Sequence, residues 1–107
     1  MYKIDGTTIS LTRGDSLYAL IAMKQGTQTY TPAEGDVIKF TVRKTYSTPV
    51  LIQKTIPNDT LMLHLLPTDT KELLYGRYVY DVELTTADGD VDTFIDKAAF
   101  ILTEEVT

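Results

Sequence analysis

The chain has no cysteine, no tryptophan and one histidine in 107 residues. Without cysteine there is no disulfide framework, no thiol nucleophile and no thiolate metal ligand. The compartment stays open on that ground, because many proteins of oxidising places also lack cysteine. The single histidine, His64, cannot build an imidazole pair. In an apolar strand, with no nucleophilic serine setting nearby, it is expected to be a packed, hydrogen-bonded side chain rather than a base or ligand. Basic residues are also few: 10 Lys and Arg stand against 15 Asp and Glu, a formal charge of −5. Arg43-Lys44 is the nearest approach to a basic cluster, so a nucleic-acid or anionic-membrane surface is not expected. No apolar run approaches membrane-spanning length. Met1 to Gly6 has no apolar core of a signal peptide, so the chain is expected to be made and kept in the cytoplasm unless it leaves by another route, such as cell lysis. Glycine-rich phosphate loops, HExxH and GxSxG are missing as well. An enzyme must assemble a nucleophile, a base and a charge stabiliser. With none of these motifs present, the expectation is no enzyme, no catalytic residue, no cofactor and no small-molecule substrate.

What is present is strand pattern. Between Leu73 and Phe94, Tyr78, Tyr80, Val82 and Leu84 alternate with Val79, Asp81 and Glu83, a period of two with one apolar face. Ala87-Asp88-Gly89-Asp90 follows as a hairpin turn. Earlier, Ile9 and Leu11 alternate with Thr8, Ser10 and Thr12 after the Asp5-Gly6 turn. Val37–Lys44 is the cleanest alternation, placing Ile38, Phe40 and Val42 inward and Lys39, Thr41 and Arg43 outward. Val50–Ile56 is a further strand, bounded by Pro49 and by the turn Pro57-Asn58-Asp59. Gln25 to Gln28 and Thr31 to Asp36 read as polar connectors. One short helical segment is expected near 68–75, with Asp69 as its cap, Glu72 three residues on and Gly76 as a left-handed stop. Seven or eight strands with turn signals between them predict an all-β, immunoglobulin-like antiparallel β-sandwich, a single domain over 1–107.

Four constellations need weighing. Asp88, Asp90 and Asp92 offer oxygen ligands for a hard cation, but the bidentate Glu of a calcium loop is missing. A turn explains them, and no metal is expected. Arg13-Gly14-Asp15 matches an integrin-binding tripeptide, yet Gly at a sharp reversal with Asp accepting backbone N–H groups gives it a local role. Tyr78, two residues after Gly76, fits a tyrosine whose hydroxyl bonds back to the preceding corner. Other tyrosines, Tyr18, Tyr30, Tyr46 or Tyr75, provide the alternative function of a carbohydrate- or surface-binding module.

The pattern most suggestive of function is that strands 17–23, 61–66 and 98–102 are apolar on both faces. A two-layer sandwich covers one face of each strand. The surplus on the other face calls for a partner. Leu20, Ala22, Met62 and Leu66 are the interface candidates, with 98–102 as the alternative surface.

The order of elements also carries a resemblance. Its first half is an opening Asp-Gly hairpin, Leu-Thr-Arg-Gly-Asp-Ser, then Pro-Ala-Glu-Gly-Asp before Val-Ile-Lys-Phe-Thr-Val-Arg-Lys. Its second half is Leu-Pro-Thr-Asp-Thr, Gly-Arg-Tyr-Val-Tyr-Asp-Val-Glu-Leu-Thr, Asp-Gly and a closing strand. This resembles the small β-sandwich domains of phage and prophage tail proteins, in particular the N-terminal domain of the phage baseplate upper protein. The resemblance implies a virion structural module, made in the bacterial host cytoplasm, that assembles with copies of itself or with neighbouring tail and baseplate proteins. Host recognition in such proteins usually belongs to further C-terminal regions. The chain ends at Thr107 without one, so a receptor-binding role is not expected. The family transfers no catalytic residue.

Overall fold

The computed structural model describes residues 2–21, 24–25 and 28–104. Ten strands and one helical turn are found among them. The strands are β1 Tyr2–Asp5, β2 Thr8–Thr12, β3 Leu17–Leu20, β4 Lys24–Gln25, β5 Gln28–Thr29, β6 Val37–Arg43, β7 Val50–Ile56, β8 Met62–Leu65, β9 Gly76–Thr85 and β10 Val91–Thr103; the helical turn is α1 Pro67–Thr70. Six strands form one sheet in the order β1-β2-β10-β9-β6-β7, while β3 pairs with β8 and β4 with β5. None of the described helices is long and apolar enough to cross a membrane.

The chain is mainly β, as the alternation predicts, but the large sheet is mixed rather than wholly antiparallel. β2 runs parallel to β10, with Ile9 beside Phe100 and Leu11 beside Leu102. After its hairpin with β1, the chain leaves this sheet through Arg13–Ser16 to start β3, so the free edge of β2 is left for the last strand. Two features raise the strand number above seven or eight. β1 and the two-residue pair β4–β5 are additional, while residues 91–103 form one strand instead of two. Of the expected connector 25–28, Gly26 and Thr27 lie outside the described residues, as do Ala22 and Met23 of the expected strand 17–23.

The core is where period two places it. Ile38, Phe40, Val42, Tyr78, Tyr80, Val82 and Leu84 are all buried. They join Ile9 and Leu11 of β2, Phe100 and Leu102 of β10, Leu17 and Ala19 of β3, and Leu63 and Leu65 of β8 in one cluster. The two sheets therefore face each other across shared apolar side chains. Phe40 lies at the middle, its ring centroid 5.1 Å from that of Tyr80 and 6.2 Å from that of Phe100. Tilted and edge-on ring pairs at this spacing add favourable quadrupole contacts to the area they bury. The Tyr80 hydroxyl donates to the Thr7 carbonyl, so its burial leaves no stranded polar group. Burial pushes the Tyr80 phenol up to about 12.

Thr41 departs from the pattern. It points outward as expected, yet it is buried, with Gln53 Nε2 donating to its hydroxyl oxygen at 3.2 Å. β10 holds a larger departure. The register passes from Ile95 opposite Val82 to Ala98 opposite Tyr80, so Asp96 and Lys97 together oppose Asp81. This bulge sets Lys97 at φ 55°. The extra residue lets Ile95 and Ala98, three apart in sequence, both face inward.

The helical turn also differs from its expected bounds and caps. Pro67 lacks an N–H and has a fixed φ, which suits the first helical position, so the turn begins there and ends at Thr70. Asp69 is therefore inside the helix rather than its cap. Its carboxylate accepts the Leu66 N–H at 2.7 Å and pairs with Lys54 of β7 at 2.9 Å. Glu72 lies beyond the turn. Gly76 opens β9 at φ 141° instead of stopping the helix.

Truncating the central ring should be costly. We expect Phe40→Ala to lower unfolding free energy by about 3–5 kcal/mol in urea denaturation. A loss within about 0.5 kcal/mol, typical of surface positions, would contradict the assignment.

Candidate functional site: the outer face of β3 and β8

β3 and β8 are amphipathic in position but not in composition. Leu17 and Ala19 of β3, and Leu63 and Leu65 of β8, point into the core and are buried. Antiparallel register sets Tyr18 opposite His64 and Leu20 opposite Met62 on the other face. Leu20 is 68% exposed and Tyr18 55%; Met62 and Leu66 are also exposed. Three of the four predicted interface residues, Leu20, Met62 and Leu66, are thus on the surface, and Leu20 and Met62 are direct cross-strand neighbours. The fourth, Ala22, lies outside the described residues.

His64 is not the packed core side chain expected from its apolar strand. It is exposed, and its ring stacks on Tyr18 with centroids 4.1 Å apart and planes 12° from parallel. The missing signal was register: only pairing residues 17–20 against 62–65 shows that these rings meet. Tyr18, Leu20, Met62, His64 and Leu66 themselves carry no carboxylate, lysine or arginine, while the Asp69 carboxylate accepts the Leu66 N–H at the end of the face.

The alternative surface at 98–102 is different. Ala98, Ala99, Phe100 and Leu102 are all buried and Ile101 is half-buried. β10 is a central strand between β2 and β9, and its outward positions hold the small Ala99 and the half-buried Ile101 rather than large exposed side chains.

The corner beside α1 accounts for Arg13-Gly14-Asp15. Arg13 Nη1 donates to the Leu73 carbonyl and Nη2 to the Tyr75 hydroxyl, each at 3.2 Å. The guanidinium carbon sits 4.4 Å from the centroid of the Tyr75 ring. Gly14 adopts φ 86°, and its N–H reaches the buried Thr70 hydroxyl at 2.9 Å. The tripeptide ties the β2–β3 connector to the helical turn. From the other side, the Tyr78 hydroxyl donates to the Leu74 carbonyl at 2.7 Å, the bond back to the corner predicted from Gly76-Arg77-Tyr78.

The four tyrosines of the carbohydrate alternative are held by different elements. Tyr18 stacks on His64, and Tyr75 is under Arg13. Tyr30 donates to the buried Asp36 at 2.7 Å, a bond that holds its phenol above the usual range, and its ring leans on Phe94. Tyr46 is under Lys97. Asp88 and Asp90 belong to the loop between β9 and β10, where Thr86 and Asp90 exchange backbone and hydroxyl bonds, and Asp92 follows on β10. All three are exposed, and among the described residues no three His, Asp or Glu side chains converge on a cation position. No protein-family model, curated protein or solved structure matches this chain.

A turn without convergent ligands should not respond to calcium. Millimolar calcium is expected to leave the melting temperature unchanged, since only ligands that favour the native state raise it. A rise of several degrees would show that these carboxylates bind the ion.

Proposed function

We propose that this chain is a non-enzymatic structural domain of a phage or prophage tail assembly, an immunoglobulin-like sandwich acting through protein–protein contacts. The observation that carries the reading is the outer face of β3 and β8, where Leu20, Met62 and Leu66 are exposed around the Tyr18–His64 stack. The resemblance of the turn and strand order to tail and baseplate domains supplies the biological setting.

The partner proposed is a second copy. Two chains that each carry −5 repel one another over most of their surface. They approach at lowest electrostatic cost where few unpaired charges are presented: Tyr18, Leu20, Met62 and His64 carry no carboxylate, and the Asp69 carboxylate beside Leu66 is paired with Lys54. Covering apolar side chains there contributes roughly 25 cal/mol per Å² before the entropic cost of association. In the virion the same face would meet copies of the chain or neighbouring tail proteins.

Sedimentation should show a defined oligomer at micromolar concentration. Leu20→Glu and Leu66→Glu should weaken it while leaving each protomer folded, because both side chains are exposed. A clean monomer at high micromolar concentration would refute self-association, and a variant that unfolds would show its residue to be core. The phage setting has its own test in the flanking reading frames. Tail, lysin or terminase genes agree with it; polysaccharide-processing enzymes would contradict it.

A further inference from the structure

The single histidine of the chain stands at the middle of the face proposed for self-association. Side chains alternate along β8, so Met62 and His64 point outward while Leu63 and Leu65 are buried. Leu66 continues the extended backbone, at φ −91° and ψ 156°, and is exposed in its turn. A second copy that covers both Met62 and Leu66 therefore covers His64 between them. Across the strand pair the imidazole lies on the Tyr18 ring, with centroids 4.1 Å apart and planes 12° from parallel.

The charge of the imidazole decides whether that covering is favourable. Neutral imidazole stacked on a phenol ring is a flat and weakly polar surface. Imidazolium carries a full charge, which water solvates in the free protomer and which a covering copy strips of that water. Neighbouring elements do not compensate it. β3 faces His64 with the Tyr18 phenol rather than a carboxylate. β7 brings Lys54 and α1 brings Asp69, but these two are paired with each other at 2.9 Å, and the same carboxylate oxygen accepts the Leu66 N–H. A cation stacked on a phenol gains some attraction. Both rings belong to one protomer, however, so that gain is present before and after association and cancels.

A general charge effect acts in the opposite direction. Each chain carries −5, so acidification lowers the repulsion between copies. That repulsion is spread over the whole surface and screened within about 8 Å at physiological salt, whereas the lost hydration is confined to the covered imidazole. A contact between two like faces also covers two imidazolium charges at once. The local cost is the larger, so acid separates the copies.

We propose that His64 is a pH switch on the self-association face: neutral imidazole lets a second copy dock, and protonation releases it. The switch rests on the assembly reading and adds its control. Association is complete above the imidazole range and is lost as pH falls through it. Histidine is the side chain that ordinarily changes charge there, at about 6.5 in water. With two imidazoles per contact and only the neutral form accepted, the dissociation constant should rise about a hundredfold from pH 8 to pH 5.5.

The test is sedimentation velocity of the whole chain at pH 8 and pH 5.5 in physiological salt, beside His64→Phe. Circular dichroism at both values reports whether each protein is folded. The parent chain should be oligomeric at pH 8 and dissociate at pH 5.5 at the same concentration. His64→Phe keeps a ring against Tyr18 but takes no proton, so its dissociation constant should be the same at the two values. A folded parent chain equally oligomeric at both values, or more so in acid, overturns the switch and leaves the assembly reading standing. If His64→Phe dissociates in acid as the parent does, another group is responsible and the switch is overturned as well. A parent chain that is monomeric at both values removes the assembly reading, and the switch with it.

Discussion

A six-stranded sheet covered by a two-stranded one is the constraint on which the rest of this structure depends. The inner face of the large sheet presents Ile9, Leu11, Ile38, Phe40, Val42, Tyr80, Val82 and Phe100, and all of them are buried. β3 and β8 supply Leu17, Ala19, Leu63 and Leu65 from the opposite layer. A strand can turn only every second side chain toward such a core. Whatever stands at the intervening positions of a thin covering layer faces outward. Here those positions hold Tyr18, Leu20, Met62 and His64, so the same strands that close the core also offer an uncharged outer face.

Because β3 and β8 are so short, their attachment matters. Arg13, Gly14 and Thr70 connect the start of β3 to α1, and Asp69 connects α1 to Lys54 of β7. The Tyr78 hydroxyl closes the corner from β9. Polar bonds around the helical turn thus hold the small layer in register with the large sheet. On the far side, Asp36 organises the connector before β6 by accepting from Tyr30 and from the Ala33 N–H, while its carbonyl accepts from Asn58. In that connector Gly35 is at φ 90°, where an added Cβ would come within 2.8 Å of the Ala87 side chain. Close approach of the two loops requires glycine there.

Period two made most of the core legible in sequence, because inward and outward positions on β6 and β9 differ sharply in polarity. The corner bond of Tyr78 was legible too, since glycine followed by a spaced tyrosine is a local pattern. Long-range relations were not. The parallel pairing of β2 with β10 depends on which strand edge remains free after the chain crosses between sheets. The bulge at Asp96–Lys97 leaves no local signature, because neither residue is a glycine that would announce a positive φ. Asp69 stands three positions inside the observed cap, Leu66, because proline sets the first helical residue at 67. Of the interface set, Leu20, Met62 and Leu66 could be read as surplus apolar residues, whereas the Tyr18–His64 stack emerges only from register.

We propose that the outer face of β3 and β8 is where this domain meets its own kind. Isotope-filtered nuclear Overhauser spectroscopy tests it directly in an equal mixture of labelled and unlabelled chain. The account predicts intermolecular cross-peaks at the methyl groups of Leu20 and Met62. Intermolecular contacts arising instead from β1 or β7, the two edges of the large sheet, would contradict it.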